Sequence, residues 1–132
     1  MSTKIPLIRP WFGKEEEKAI VGVLRTGWVM SGPKVAEFER NFGNIVGNTY
    51  CCATTSCTSA LSLALRSIGV GYGDVVITVS HYFIATANAI RTVGAEPIFV
   101  DIESDTPNMS PLSLERCLTE EFDHSGNGLW FK

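Results

Sequence analysis

The chain has 132 residues, of which 45% are hydrophobic and 19% charged. That length allows one ordinary domain and excludes a second complete one, and the composition is that of a folded globular protein rather than a disordered tail. Eleven basic against 14 acidic residues leave a net charge of −3, which disfavours general nucleic-acid binding, because sequence-independent affinity comes from neutralising phosphates with a cationic surface.

No apolar run approaches the roughly 18 residues of a membrane helix. Arg9, Pro10 and Trp11 arrive before an apolar run of signal-peptide length develops, so a cytoplasmic protein is expected. Cys51, Cys52, Cys57 and Cys117 form no CxxC pair and have no His at ligand spacing; they read as buried or half-buried thiols rather than as a metal site or a disulfide frame.

The spacing predicts a helix over Lys14–Thr26. Glu15, Glu16 and Glu17 occupy its first turn, where carboxylates favour the positive end of the helix dipole, Ile20, Val23 and Leu24 form its apolar stripe, and Gly27 stops it. A second amphipathic helix opens at Ser31-Gly32-Pro33, carries Val35, Phe38, Phe42 and Ile45 on one face and ends near Gly47. Residues 50–53 read as a short buried strand. Thr54-Thr55-Ser56 then supplies capping hydroxyls, and Leu61, Ala64, Leu65 and Ile68 fall at i, i+3, i+4 and i+7 of a third helix.

Gly69, Gly71 and Gly73 end that helix before the β-branched run Val75–Val79, a buried strand. A helix over 84–92 leads through Gly94 to a third strand over 97–100, ending at Asp101. Strands alternating with helices of this length indicate the α/β class, a mostly parallel sheet with flanking helices. Ser110-Pro111 opens one more helix reaching 117 or 118, and residues 119–132 show no periodicity. With three strands and both sheet edges unpaired, the chain reads as the front of something longer.

The chemically informative segment is Thr54 to Ser59. Hydroxyl residues stand there where a strand passes into a helix N-terminus, so free amides, the helix dipole and hydroxyl donors converge as they would around a phosphate dianion. Plain N-capping uses the same residues, although one hydroxyl suffices for a cap and five are present. The run Gly69-Val70-Gly71-Tyr72-Gly73 follows a helix and precedes a strand, the reverse of a dinucleotide loop, and reads as a turn.

Ser80-His81-Tyr82-Phe83 follows the Val75–Val79 strand, at the carboxyl end where open parallel sheets bind ligands. Phe83 suits stacking on a planar ring as well as it suits packing of the rim, whereas His81, although able to exchange a proton, reads first as rim packing. His124 reads as solvated. Trp11-Phe12 and Gly27-Trp28-Val29-Met30 suit an interface, a pocket wall or local packing.

Taken in order, Ile5-Pro6-Leu7, Gly27-Trp28, Ser31-Gly32-Pro33-Lys34-Val35-Ala36-Glu37-Phe38-Glu39, Thr58-Ser59-Ala60-Leu61, Gly71-Tyr72-Gly73-Asp74-Val75-Val76, Phe83-Ile84-Ala85-Thr86-Ala87-Asn88-Ala89-Ile90 and Pro97-Ile98-Phe99-Val100-Asp101-Ile102 resemble the DegT/DnrJ/StrS family of sugar aminotransferases. The resemblance implies a partial PLP-dependent transferase fold of the aspartate-aminotransferase type (fold type I), with pyridoxal 5'-phosphate (PLP) as cofactor. Carried over position by position, the family's phosphate cradle falls on Ser56, Cys57 and Thr58, and its ring-stacking aromatic on Phe83. Cys57 stands where the family has Gly or Ala, and Val79 where it often has Pro.

The family's cofactor-pairing Asp and Schiff-base Lys lie downstream of these motifs. None of Lys4, Lys14, Lys18, Lys34 and Lys132 stands in the Ser-x-x-x-x-x-Lys context that carries the cofactor, so no catalytic residue is assigned and the chain alone is expected to be inactive. The parent implied is a homodimeric aminotransferase of amino-sugar or surface-polysaccharide biosynthesis, acting on a nucleotide-linked keto sugar with an amino acid such as glutamate as donor. A competing expectation is a non-catalytic module that associates with proteins through Trp11, Trp28 and its sheet edges. The domain organisation expected is an N-terminal helical segment over 1–48, the first part of the PLP-binding large domain over 49–118, and an irregular truncated tail over 119–132.

Overall fold

The computed structural model describes residues 5–48, 50–125 and 128–131. The first helix, α1 (Lys14–Thr26), starts where the Glu16 carboxylate folds back to accept the Gly13 N–H at 2.6 Å. It stops at Gly27, whose left-handed φ of 71° is open to glycine at no steric cost. The second, α2 (Pro33–Val46), begins with the proline at its first position, as the sequence predicts. Their stripes remain largely exposed, Ile20, Leu24 and Phe38 included.

Trp28 does not stand free in the loop between these helices. Its indole N–H donates to the Ser31 carbonyl at 3.1 Å and its ring lies over Gly32, where a Cβ would come within 2.0 Å of the indole nitrogen. The residue is a lock on the α2 entry.

Residues 50–53, expected as a strand, form none. Their backbone is satisfied by side chains instead of a ladder: the Asn48 amide oxygen accepts the Tyr50 N–H at 3.2 Å, and the Glu39 carboxylate accepts the Ala53 N–H at 2.8 Å. The chain accordingly divides into two compact units at 53/54.

Residues 54–132 carry the α/β part. Helix α3 (Cys57–Ser67) leads through a turn, in which Asp74 takes the Gly71 N–H at 2.8 Å, to β1 (Val75–Val79). Helix α4 (Ala85–Thr92) then crosses to β2 (Glu96–Val100), which pairs parallel with β1 from Val75↔Glu96 to Val79↔Val100. Alternation along the strands separates two cores. Val76 turns to one face, with Leu65, Val70, Ile90, Val93 and Ala95. Val75, Ile77, Val79, Ile98 and Val100 turn to the other, against Cys117 and Leu118 of α5 (Pro111–Glu120). Ile68, expected on the α3 stripe, is 76% exposed because the helix ends at Ser67 and leaves it as the cap.

The tail is not irregular. β3 (Phe122–Ser125) and β4 (Gly128–Phe131) pair antiparallel, and the Phe122 and Phe131 rings meet edge to face at 5.4 Å. Phe122 is buried with Val100 and Cys117, and this apolar anchor sets the hairpin against the second core. The sequence signal is Gly126-Asn127, a dipeptide common in two-residue hairpins, between the polar run Asp123-His124-Ser125 and the apolar run Leu129-Trp130-Phe131. The reading of His124 as solvated concerns a side chain outside the described residues. Among the described residues, no helix is long and apolar enough to cross a membrane.

Candidate functional site

The three cradle positions come together on the first turn of α3. Ser56 is the N-cap, its backbone extended and its hydroxyl accepting the Ser59 N–H at 3.1 Å. Its carbonyl accepts from Ala60 at 3.0 Å, the first bond of the helix ladder. The Cys57 and Thr58 amides precede that ladder, so they point out of the helix end with no carbonyl to meet, where the dipole is positive.

Around them the hydroxyls form a network. Ser59 Oγ lies 3.0 Å from Ser56 Oγ and 3.3 Å from Thr55 Oγ1, while Thr54 donates to the Ser56 carbonyl at 2.9 Å. Thr58 is half-buried, but Cys57 is exposed, as is Cys52, so of the four thiols expected to be at least half-buried only Cys51 and Cys117 are. Four of the five hydroxyls are thus engaged locally; the Thr58 hydroxyl makes no hydrogen bond within the described residues.

Phe83 lies four residues beyond the end of β1 and just before α4, its carbonyl accepting the Thr86 N–H at 3.0 Å. The ring is 74% exposed and leaves a face free. Ser80, His81 and Tyr82 are exposed beside it. No hydrogen bond or ring contact among the described residues joins Phe83 to the cradle.

Two ties between α3 and α4 show how the two are placed. Ser62 Oγ lies 3.3 Å from the Ala89 carbonyl, and the Arg66 guanidinium 3.5 Å from the Thr92 carbonyl. The sequence offsets are 27 and 26. Nearly constant and of the same sign, they mean that the helices run side by side in the same direction. An offset of 27 carried back to the helix starts sets Ser56 level with Phe83. Cradle and aromatic therefore share one end of the helix pair, beside the carboxyl end of β1. The sequence places each residue on its own rim loop; the common level is read from Ser62 and Arg66, which sequence reasoning had no cause to single out.

Elsewhere, α2 with Gly47, Asn48 and residues 50–52 forms an open groove of about 640 Å³ lined by Glu39, Arg40, Asn44, Asn48, Cys51 and Cys52 among others. Among the described residues no group of three or more His, Cys, Asp or Glu is placed to hold a metal ion.

Residues 10–123 match the model of the DegT/DnrJ/EryC1/StrS aminotransferase family. The spore coat polysaccharide biosynthesis protein SpsC of Bacillus subtilis (strain 168) is 44% identical over 115 residues, 87% of this chain and 30% of its own length. Among solved structures, Spr1654 of Streptococcus pneumoniae, named a sugar aminotransferase, is 37% identical with a TM-score of 0.80 in both its PMP form and its PLP form, covering 86% of this chain and 29% of that one. A DegT DnrJ EryC1 StrS aminotransferase from Brucella abortus is 39% identical with a TM-score of 0.72, over 78% of this chain and 28% of its own. The chain thus spans about 30% of the length of the relatives it matches.

Proposed function

The chain belongs to the DegT/DnrJ/EryC1/StrS aminotransferase family, and from that premise we propose that it supplies the phosphate-anchoring part of a PLP-dependent sugar aminotransferase site. The observation that carries the reading is the common level of Ser56 and Phe83, which sets a phosphate donor set and an exposed aromatic face at one end of two parallel helices. PLP is the cofactor of the family, and relatives are known in PLP and PMP forms.

The residues present suit that group. A phosphate offers acceptors only, and the helix end offers donors only: the Cys57 and Thr58 amides and the unengaged Thr58 hydroxyl, with the dipole supplying positive potential. Ser56 remains the cap that holds this turn in place. Phe83 fixes the plane of an aromatic ring by stacking, a contribution of about 0.5–1.5 kcal/mol. Bound PLP supplies the electron sink for proton removal at the carbon bearing the amino group. This chain's residues bind and orient, and none of them is assigned the proton transfer.

The substrate of the whole enzyme is, in this reading, a nucleotide-linked keto sugar aminated at the expense of an amino acid such as glutamate, in a cytoplasmic homodimer. SpsC, named for polysaccharide biosynthesis, and Spr1654, named a sugar aminotransferase, support the sugar and the pathway class. Cys57, in place of a smaller residue, is the feature that separates this cradle from the family pattern.

Equilibrium dialysis against pyridoxamine 5'-phosphate (PMP) tests the anchoring role, because PMP has no aldehyde to react with surface lysines. Saturable binding, displaced by inorganic phosphate and weakened severalfold by Phe83→Ala, is expected. Absence of saturable binding, or binding indifferent to both, contradicts it.

A further inference from the structure

We infer that Ser62 is a positioning residue, whose hydroxyl sets the level of the phosphate cradle against Phe83; the inference rests on the anchoring role just proposed. Ser62 lies one turn into α3, with its hydroxyl oxygen 3.1 Å from the Thr58 carbonyl and 3.3 Å from the Ala89 carbonyl. One proton serves two acceptors, and their circumstances differ.

The Thr58 carbonyl sits inside α3, four residues before the Ser62 amide, and has its partner in the helix ladder. The Ala89 carbonyl belongs to the last turn of α4. The Val93 amide that would reach it turns instead to the Ile90 carbonyl at 3.2 Å, and the Ala95 amide also goes to Ile90, at 3.3 Å. Ala89 is 1% exposed. A carbonyl without a ladder partner at a buried helix end needs a donor from elsewhere, and leaving it without one is the costly outcome. The Ser62 hydroxyl supplies that donor.

The consequence is geometric. Ser62 is the interhelical tie nearer the helix starts; Arg66 makes the other at 3.5 Å, one turn further along. The Ser62 tie connects the segment carrying Cys57 and Thr58 with the helix whose first turn holds the Phe83 carbonyl through Thr86. If the helices slide, the cradle and the aromatic lose their common level. An inorganic phosphate, which touches the cradle alone, is indifferent to that change. A phosphorylated pyridine, which spans both, is not.

The test compares PMP and inorganic phosphate affinities in the unaltered chain, Ser62→Ala, Ser62→Thr and Ser67→Ala. Ser67 donates within α3, to Ala64, and controls for loss of a helix hydroxyl. Ser62→Ala is expected to weaken PMP binding roughly twofold to tenfold, the worth of one neutral hydrogen bond. It is also expected to alter the induced circular dichroism of the PMP ring and to leave phosphate affinity in place. Ser62→Thr, which keeps the hydroxyl, restores PMP binding, and Ser67→Ala changes neither. Retained phosphate binding also shows that the first turn of α3 is intact in the variant. PMP affinity unchanged in Ser62→Ala overturns the inference, as does an equal loss for both ligands. If the unaltered chain binds neither ligand, the anchoring role itself fails, and the inference falls with it.

Discussion

Thr58→Val separates the two roles open to the first turn of α3, and its effect follows from which groups are already engaged. Ser56 Oγ accepts the Ser59 N–H at 3.1 Å, so the helix is capped without any help from Thr58. Valine keeps the shape and the backbone N–H of Thr58 and removes only its hydroxyl, which has no partner within the described residues. Stability is expected to move by less than about 0.5 kcal/mol, as for a substitution away from caps and cores. A hydrogen bond to a charged acceptor is worth about 1.5–3 kcal/mol, so PMP affinity should fall roughly tenfold to a hundredfold. Ser56→Ala has the complementary signature: loss of a cap costs about 1 kcal/mol, or about 4–8 °C in Tm for a unit of this size. Equilibrium dialysis and thermal unfolding of the two variants give the comparison. An unchanged PMP Kd in Thr58→Val, beside a destabilised Ser56→Ala, refutes the phosphate role and leaves a plain helix cap.

Gly43→Ala opposes two effects of known size. Alanine favours the helix by about 0.5–1 kcal/mol, but its Cβ would stand 2.4 Å from the Asn48 carbonyl oxygen and 3.3 Å from Cys51 Sγ. Because the Asn48 N–H is bonded to the Gly43 carbonyl at 2.9 Å, the loop cannot retreat without breaking that bond. Overpacking of about 1–3 kcal/mol wins, so thermal unfolding should show a lower Tm, and a rise contradicts the packing described. The Glu37 carboxyl is held below the usual carboxylate range by the Lys34 hydrogen bond at 2.6 Å and the Lys34 charge, with a smaller contribution from Arg40. The small stabilisation this brings is present above the unfolded carboxylate pKa and lost as pH falls through the lowered one. Lys34→Ala should raise the Glu37 midpoint in an NMR titration, and no movement removes Lys34 as the cause. Ile5, Leu7, Trp11 and Met30 are each more than 80% exposed, and β1 and β2 each leave an unpaired edge among the described residues. Sedimentation of the 132-residue chain should therefore reveal self-association, and a monodisperse monomer contradicts this.

Local signals carried most of the fold. Lys14–Thr26 and Pro33–Val46 are bounded by a first-turn glutamate, a proline and two glycines that act within one turn of chain, so their limits follow from the sequence. The parallel pair of Val75–Val79 and Glu96–Val100 follows from a β-branched run and the apolar run Pro97-Ile98-Phe99-Val100, separated by a crossover helix. Residues 50–53 have the composition of a strand, but strand formation depends on a partner elsewhere, and here Asn48 and Glu39 take up the backbone instead. The tail hairpin does not follow from periodicity, because Phe122-Asp123-His124-Ser125 has a single apolar residue, and the burial of that residue with Val100 and Cys117 is a contact no local pattern encodes. At the candidate site, hydroxyl content and rim position single out the segment from Thr54 to Ser59 and Phe83, and only the family resemblance narrows the cradle to Ser56, Cys57 and Thr58. Their common level is read from the Ser62 and Arg66 bonds to carbonyls 27 and 26 residues away, relations no local pattern encodes.

The central claim is that the first-turn amides of α3 hold the cofactor phosphate, and amide hydrogen exchange at Cys57 and Thr58 measures those two groups directly. The start of α5 is an internal control, since Ser110 caps it with the same kind of side-chain bond, accepting the Ser113 N–H at 3.2 Å, without the run of five hydroxyls. On addition of saturating PMP, exchange at Cys57 and Thr58 should slow while Leu112 and Ser113 stay unchanged. PMP bound with exchange at Cys57 and Thr58 unaltered, or slowed equally at the start of α5, contradicts the claim.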